Sequence, residues 1–248
     1  YPWCPPLYAT WDAPCTHCDA DKLSRCLPVN PAHRFFGDER AEWYLTLRDR
    51  FMEKLSDPAV VVVAPTESVK RRWQQLAPGL AACPVSIIGH GLPTEELEKF
   101  ADHRWQATQG QRLHLVVLGM LSDHKGGKQL SQILPALLQH YDITLLGTGE
   151  DAPSFTQHSG LTVIKHYRLP DLPALLKDIK PDIGLLQSTV PETFSYTLSE
   201  LFAAGIPPVA TNLGAFADRI EPGVTGWLVS PAPASDEVVA RLTALAQD

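Results

Sequence analysis

Short, largely apolar runs alternate with amphipathic stretches along most of this chain, and that alternation constrains its fold more than any other feature. The runs are Val60–Ala64, Val85–Ile88, Leu113–Leu118, Ile143–Leu146, Leu161–Ile164, Ile183–Leu186, Pro208–Thr211 and Trp227–Val229. A run apolar on both sides suits a strand buried in a parallel sheet, and parallel strands need helical crossovers between them. Helical spacing follows in the intervening stretches: Phe36 to Leu55, Thr66 as a cap before Val69, Trp73 and Leu76, and Leu130 to His140 interrupted by Pro135. Further helices are expected from near Pro173, over Phe194–Ala204 and over Ser235–Ala246. The prediction is an α/β fold in which residues 105–248 form one Rossmann-like domain, a parallel sheet with helices on both faces.

Composition narrows the functional classes. The 248 residues carry 21 Lys+Arg against 28 Asp+Glu, a net charge of −7, which argues against general nucleic-acid binding. With 44% hydrophobic and 20% charged residues the chain is globular rather than disordered. No apolar run reaches the ~18–20 residues of a membrane helix, and the longest, Ala59 to Pro65, reads as a buried strand. Residues 1–35 differ from the rest and are expected to be irregular, with Cys4, Cys15, Cys18, Cys26 and His17 among them. The C-x2-C pair and its two outlying cysteines fit a structural Zn site or cluster, disulfides or free thiols, and all three stay open. Cys83 reads as a buried apolar residue, and Trp227 as packing of the last strand. Lys70-Arg71-Arg72 reads as a solvated helix face, with contact to anionic lipid as the alternative.

In open α/β sheets ligands bind beyond the carboxyl ends of the strands, beside helix N-termini. Three loops are so placed: Gly119–Gly127, Gly147–Glu150 and Thr189–Tyr196. The third reads Pro191-Glu192-Thr193-Phe194-Ser195-Tyr196-Thr197-Leu198-Ser199-Glu200, followed by Gly205, Pro207, Val209 and Thr211 in a fixed register. Gly214, Glu221, Gly223, Gly226 and Leu228 continue the pattern. Glu192 precedes the helix and Glu200 lies two turns on, so two carboxylates bracket a helix N-terminus whose amides attract a diphosphate.

This run resembles the E-x7-E signature of retaining family 4 glycosyltransferases, GT-B-fold enzymes, here of the bacterial polysaccharide-assembly kind. The resemblance implies that Glu200 holds the nucleotide ribose and Glu192 the transferred sugar, with the amides of Phe194, Ser195 and Tyr196 facing phosphate. Ser195 stands where glycine is usual. Gly119-Met120-Leu121-Ser122-Asp123-His124-Lys125-Gly126 resembles the family's first loop, with Lys125 as its diphosphate-binding lysine and Met120 in place of a common arginine. His124 in that loop reads as a turn residue or a phosphate donor. Gly147 and Gly149 resemble the family's G-x-G near the nucleotide, and His166-Tyr167-Arg168 falls where members meet the base. Gly89-His90-Gly91 resembles the turn entering the donor domain.

On that register residues 1–90 are a Cys-rich segment plus the end of an acceptor domain expected to be incomplete, and 91–248 are the nucleotide-sugar-binding domain. The implied reaction moves a sugar from a UDP- or GDP-sugar to a saccharide or lipid-linked acceptor with retention. It needs no metal for chemistry, because Lys125 and a helix N-terminus face the diphosphate. A cytoplasmic location is implied, with peripheral association at the inner face of the membrane as a further expectation. Two other readings stay open, a noncatalytic nucleotide-sugar-binding or assembly subunit and a GT-B-fold nucleotide-sugar epimerase.

Overall fold

A computed structural model describes residues 8–10, 13–14, 19–29, 41–81, 83–100, 112–150, 155, 158–231 and 235–246. The chain divides into two compact units, Tyr1–Gly89 and His90–Asp248.

In the first unit a short antiparallel pair, β1 (Tyr8–Thr10) and β2 (Ala13–Pro14), precedes helix α1 (Ala20–Cys26). The segment expected to be irregular therefore contains a helix, started by Asp19, whose carboxylate accepts the Lys22 amide at 2.7 Å. Cys26 ends that helix, whereas Cys4, Cys15 and Cys18 lie outside the described residues. Helix α2 (Ala41–Leu55) follows, then the parallel strands β3 (Val62–Ala64) and β4 (Val85–Ile87) joined through α3 (Glu67–Leu76). Thr66 caps α3 as the sequence predicts, accepting the Val69 amide.

Two expectations for this unit need correction. The run Ala59 to Pro65 is not a fully buried strand, because only three residues pair and Val61 and Val63 are 76% and 51% exposed. A two-stranded sheet covers too little of its own surface to bury them. Nor is Cys83 simply apolar: half-buried, it donates its thiol to the Leu55 carbonyl at 3.5 Å. On α3, Lys70 pairs with Glu67.

The second unit opens with α4 (Thr94–Phe100) and then alternates β5 (Leu113–Leu118), α5 (Gly127–Leu137), β6 (Tyr141–Leu146), β7 (Leu161–Ile164) and α6 (Leu172–Ile179). It continues with β8 (Ile183–Leu186), α7 (Tyr196–Ala203), β9 (Pro208–Thr211), α8 (Ala215–Arg219), β10 (Trp227–Val229) and α9 (Ser235–Leu245). The six strands form one wholly parallel sheet in the order β10-β9-β8-β5-β6-β7.

Alternation along β5 sets up the two faces. Leu115 and Val117 pack with Leu130, Leu134 and Leu137 of α5 and Leu242 of α9, whereas Val116 and Leu118 pack with Leu172 and Leu176 of α6 and Leu198 and Leu201 of α7. These leucines are essentially inaccessible, and burying each contributes about 1.5–3 kcal/mol. Trp227 packs against the first of these clusters, as expected of it.

Helix α5 starts at Gly127, three residues before the predicted position, and is not interrupted by Pro135. Pro135 lies in the last turn, so the missing amide affects only Ser131 and the helix ends two residues later. Helices α4 and α8 have no counterpart in the sequence reading.

His114 on β5 is bonded through Nε2 to Thr144 Oγ1 at 2.8 Å. Burial holds its pKa below the ordinary 6.5, against the opposing pull of Asp142 and Asp182. The unfolded chain therefore takes up this proton at a higher pH than the folded one, and stability is lost as pH falls below about 6.5. His124 is shifted the same way. We expect the melting temperature to fall on acidification from about pH 7 to about pH 5, and His114→Gln to make that fall shallower. Identical slopes for the variant and the parent would remove His114 from the explanation.

Candidate functional site

The strand order reverses around β5: β6 and β7 lie to one side, β8, β9 and β10 to the other. Such a switch point opens a crevice between the loops after the two strands that flank it, here β5 and β8. A cleft occupies that place, and Gly119, Met120, Lys125, Leu186, Gln187, Glu192, Thr197 and Phe216 are among the residues that line it.

The loop after β5 is folded by its glycines. Gly119 (φ 102°) brings the chain against Thr197, where a Cβ would lie 3.0 Å from that methyl. Gly126 (φ 86°) lets the loop settle on the backbone after β8, since a Cβ there would lie 2.0 Å from the Gln187 carbonyl oxygen. The two loops are tied together at His124, whose carbonyl accepts from the Thr189 amide at 3.0 Å and from Ser188 Oγ at 3.1 Å. His124 is thus a turn residue by its main chain, and its ring contacts Ser122 Oγ. The result is that Lys125 reaches across the cleft and its ammonium hydrogen-bonds Glu192 Oε1.

Glu192 is held from behind. Gly214 (φ 58°) packs on its backbone, with 2.6 Å from a Cβ position to Glu192 N and O, and the Ala215 amide donates to the Glu192 carbonyl at 2.8 Å. This explains why the downstream Gly214 belongs to the pattern.

Between the two glutamates the chain turns sharply into α7. Ser195 has φ 67° and ψ 96°, and its Oγ caps the helix by accepting the Leu198 amide at 3.3 Å, while the amides of Tyr196 and Thr197 stand at the open end of the helix. Arg219 of α8 clamps this turn. Its Nη1 donates to the carbonyls of Phe194 at 2.6 Å and Ser195 at 3.0 Å, its Nη2 to Ser199 Oγ at 2.8 Å, and its guanidinium lies 4.0 Å from the centre of the Phe194 ring. With the Phe194 and Ser195 carbonyls drawn to Arg219, the N–H groups of the same planar peptides, those of Ser195 and Tyr196, point away from it. Phe194 is buried, and the exposed Tyr196 ring stacks on His90 at 5.7 Å.

A serine at positive φ costs about 1–3 kcal/mol, whereas exchanging a Ser cap for Gly costs only a few tenths. Part of the gain is cancelled by the extra freedom of an unfolded glycine. Ser195→Gly is therefore expected to stabilise the protein by about 0.5–1 kcal/mol, measured by urea unfolding. A net loss would show that the Ser195 hydroxyl bonds outweigh the strain.

Glu200 lies one turn inside α7 rather than two, because the helix begins only at Tyr196. It is 6% exposed and faces a narrow cleft with Leu169, Pro170, Pro173 and Lys99. Burial, reinforced by the Glu200 carboxylate, pushes the neighbouring Tyr167 hydroxyl up to about 12.

The other expected positions divide. Gly147 and Gly149 use their amides in main-chain bonds to Ile164 at 2.7 Å and Lys165 at 3.0 Å, so neither amide is available to a ligand. Gly147 instead gives way to the Tyr167 ring, which a Cβ would approach to 2.5 Å. His166 contacts Glu150 at 3.2 Å. Arg168 is not brought into the cleft: its side chain is exposed and pairs with Asp171 at 3.3 Å. Met120 is 66% exposed at the cleft wall. Among the described residues no group of three or more His, Cys, Asp or Glu is placed to hold a metal ion.

Sequence reading missed Arg219 and Gln187. The available signals were a single cation ending the short apolar segment after Gly214, and one polar residue closing the apolar run Ile183–Leu186.

Solved structures share this architecture. HepE of Anabaena, crystallised with UDP and glucose, aligns over 91% of this chain and 67% of its own with a TM-score of 0.62 and 21% identity. Sucrose-phosphate synthase of Thermosynechococcus elongatus aligns over 84% and 53% with 0.63 and 19%, and the apo form of the lipopolysaccharide outer core galactosyltransferase WaaB over 93% and 65% with 0.60 and 17%. The chain thus spans about half to two thirds of the length of these structures. No curated protein sequence matches it. The sequence profile of the family described as glycosyl transferases group 1 matches residues 112–248, more than half of the chain. With its six-stranded Rossmann-like sheet of the GT-B kind, the chain belongs to the group 1 glycosyl transferases.

Proposed function

We propose that this chain provides the donor site of a retaining glycosyltransferase of the family 4 kind, which moves a sugar from a UDP- or GDP-sugar to a saccharide or lipid-linked acceptor. The observation that carries this reading is the meeting of Lys125 with Glu192 in the switch-point cleft, one side of an α7 whose next turn holds the buried Glu200. HepE complexes with UDP-glucose support the donor class by likeness of fold.

The residues divide the work as follows. Glu200 accepts hydrogen bonds from the ribose hydroxyls, with the base along Leu169 and Pro170. The diphosphate lies at the N-terminus of α7, by the amides of Phe194, Ser195 and Tyr196 and, with the helix starting at Tyr196, of Thr197 as well, and Lys125 offsets the charge that grows on it. Glu192 orients the sugar. The acceptor oxygen then bonds to the anomeric carbon on the face from which the phosphate oxygen departs, and the departing oxygen takes the acceptor proton. No step needs a metal. Gly119, Gly147 and Gly149 shape the backbone around the donor, and Arg168 contributes through its main chain. For the N-terminal cysteines, a structural Zn or cluster remains our reading of their spacing. No helix among the described residues is long and apolar enough to cross a membrane; a lipid-linked acceptor would be met peripherally, at its inner face.

Proton NMR of the product formed from a nucleotide-sugar donor tests the reaction class. An α-linked product from an α-linked donor supports retention, a β-linked product contradicts it, and an altered but untransferred sugar indicates an epimerase. One observation favours a second reading. Met120 leaves the cleft without the arginine usual beside the diphosphate, which suits a subunit that binds nucleotide and does not turn it over. That reading predicts binding with no product under any acceptor.

A further inference from the structure

Arg219, on α8 three residues after the cleft-lining Phe216, carries its charge in a place that disfavours one. Its guanidinium is half-buried, and its hydrogen-bond partners are three neutral oxygens: the carbonyls of Phe194 and Ser195 and the hydroxyl of Ser199. Among the described residues no carboxylate pairs with it, and burial draws its pKa below the ordinary arginine range with no acid opposing the shift. The oxygens it holds belong to the cap of α7, to the residue before that cap and to the first turn of the helix, so the cation stands beside the positive end of the helix dipole. A cation stabilises the other end of a helix, and the first turn of α7 contains no acidic residue to offset this one.

What the arrangement secures is a direction. Ser195 holds φ 67° and ψ 96°, a conformation that persists only where its surroundings over-determine it. The peptide groups on either side of Ser195 are the two whose carbonyls Arg219 holds. A planar trans peptide points its N–H opposite to its C=O, so fixing both carbonyls fixes the N–H groups of Ser195 and Tyr196 at the open end of α7. Among the described residues no hydrogen bond engages either N–H. A hydrogen bond at the carbonyl also polarises the peptide and strengthens its N–H as a donor.

We propose that Arg219 is a positioning residue for the donor diphosphate, aiming the N–H groups of Ser195 and Tyr196 at the phosphate oxygens and adding positive charge behind them. This rests on the donor-site reading above and adds to it a residue that does not itself touch the ligand. An arriving anion offsets both the cation and the positive end of the helix. Arg219 thereby brings a second positive charge to a cleft whose wall has Met120 beside Lys125.

The test compares the full chain with Arg219→Met, Arg219→Lys and Ser199→Ala. Affinities for UDP and GDP are read by isothermal titration calorimetry and those for uridine and guanosine by ligand-observed NMR titration, with melting temperatures alongside. For Arg219→Met we expect affinity for the preferred nucleoside diphosphate to fall about ten- to fiftyfold and that for its nucleoside to stay within about twofold. Arg219→Lys keeps the charge without the planar fork and should recover part of the loss. Ser199→Ala removes the third partner and leaves both carbonyls held, so both affinities should stay within about twofold. If Arg219→Met does not fold, the comparison is made on Arg219→Lys, where the loss for the diphosphate must exceed that for the nucleoside. Three results overturn the proposal and leave Arg219 a packing residue: equal losses for nucleoside and diphosphate, no loss for either, or a loss in Ser199→Ala as large as in Arg219→Met. A parent that binds no nucleotide at all overturns the donor-site reading and this one with it, whereas nucleotide binding unaffected by the Arg219 variants overturns this one alone.

Discussion

Glu200→Ala is expected to reduce nucleotide affinity by about two orders of magnitude. A carboxylate buried in a narrow cleft forms charge-assisted hydrogen bonds that each contribute about 1.5–3 kcal/mol, and two ribose hydroxyls give it two such partners. The loss should fall on UDP or GDP as much as on their sugar conjugates. Glu200→Gln keeps the shape and one acceptor and should recover part of the affinity. A second signature needs no ligand. Because Glu200 adds to the burial that pushes the Tyr167 hydroxyl up to about 12, its removal should bring that hydroxyl part of the way back towards 10 in an ultraviolet difference titration. Unchanged nucleotide affinity in Glu200→Ala would remove the ribose contact from the account.

Lys125→Ala should lower turnover about a hundredfold to a thousandfold, the usual effect of removing one preorganised group from the place where charge develops. Nucleotide-sugar affinity should fall much less, since the amides at the start of α7 and Glu200 remain. Donor hydrolysis, the slow transfer of the sugar to water, gives a readout that needs no identified acceptor. Equal losses in affinity and turnover would mean that Lys125 holds the ground state only. Its partner matters here: in the free protein Lys125 is bonded to Glu192, so on the proposed reading an arriving diphosphate would compete with that carboxylate for the ammonium.

Much of the second unit was legible because its strands are apolar on both sides and short. Leu113–Leu118 carries alternate residues into two separate helix layers, and no other arrangement buries both sets. The glutamate pair was legible for a different reason, since Glu192 and Glu200 belong to an ordered run that fixes a loop, a helix and the next strand. Helix α4 was not, because Thr94–Phe100 offers only Leu97 and Phe100 as apolar residues and so shows no period. Pro135 misled through its ordinary meaning: a breaker in mid-helix costs about 3 kcal/mol, but much less in the last turn. In the first unit the run Val60–Ala64 has the composition of a buried strand and, among the described residues, pairs with a single neighbour, which local sequence does not reveal.

The site was partly legible for related reasons. Lys125, Glu192 and Gly119 announce themselves by position in loops after strands, and the structure brings all three to one cleft. Arg168 looked available because its pairing with Asp171 depends on a turn that Pro170 sets, and that turn directs the guanidinium to solvent. Arg219 and Gln187 gain their places from long-range packing, of α8 against the start of α7 and of Gly126 against the end of β8. No local pattern encodes either contact.

The most direct test of a nucleotide-sugar donor site is the thermal shift of the full chain with UDP, GDP and ADP and their common sugar conjugates, run beside Glu200→Ala and Lys125→Ala. A ligand that binds only the folded state adds about 2.7 kcal/mol at a hundred times its dissociation constant, a shift of several degrees. Stabilisation by one nucleotide and its conjugates is expected, abolished in Glu200→Ala and reduced in Lys125→Ala. Melting temperatures unmoved by every nucleotide, or a shift of equal size in both variants, would contradict it.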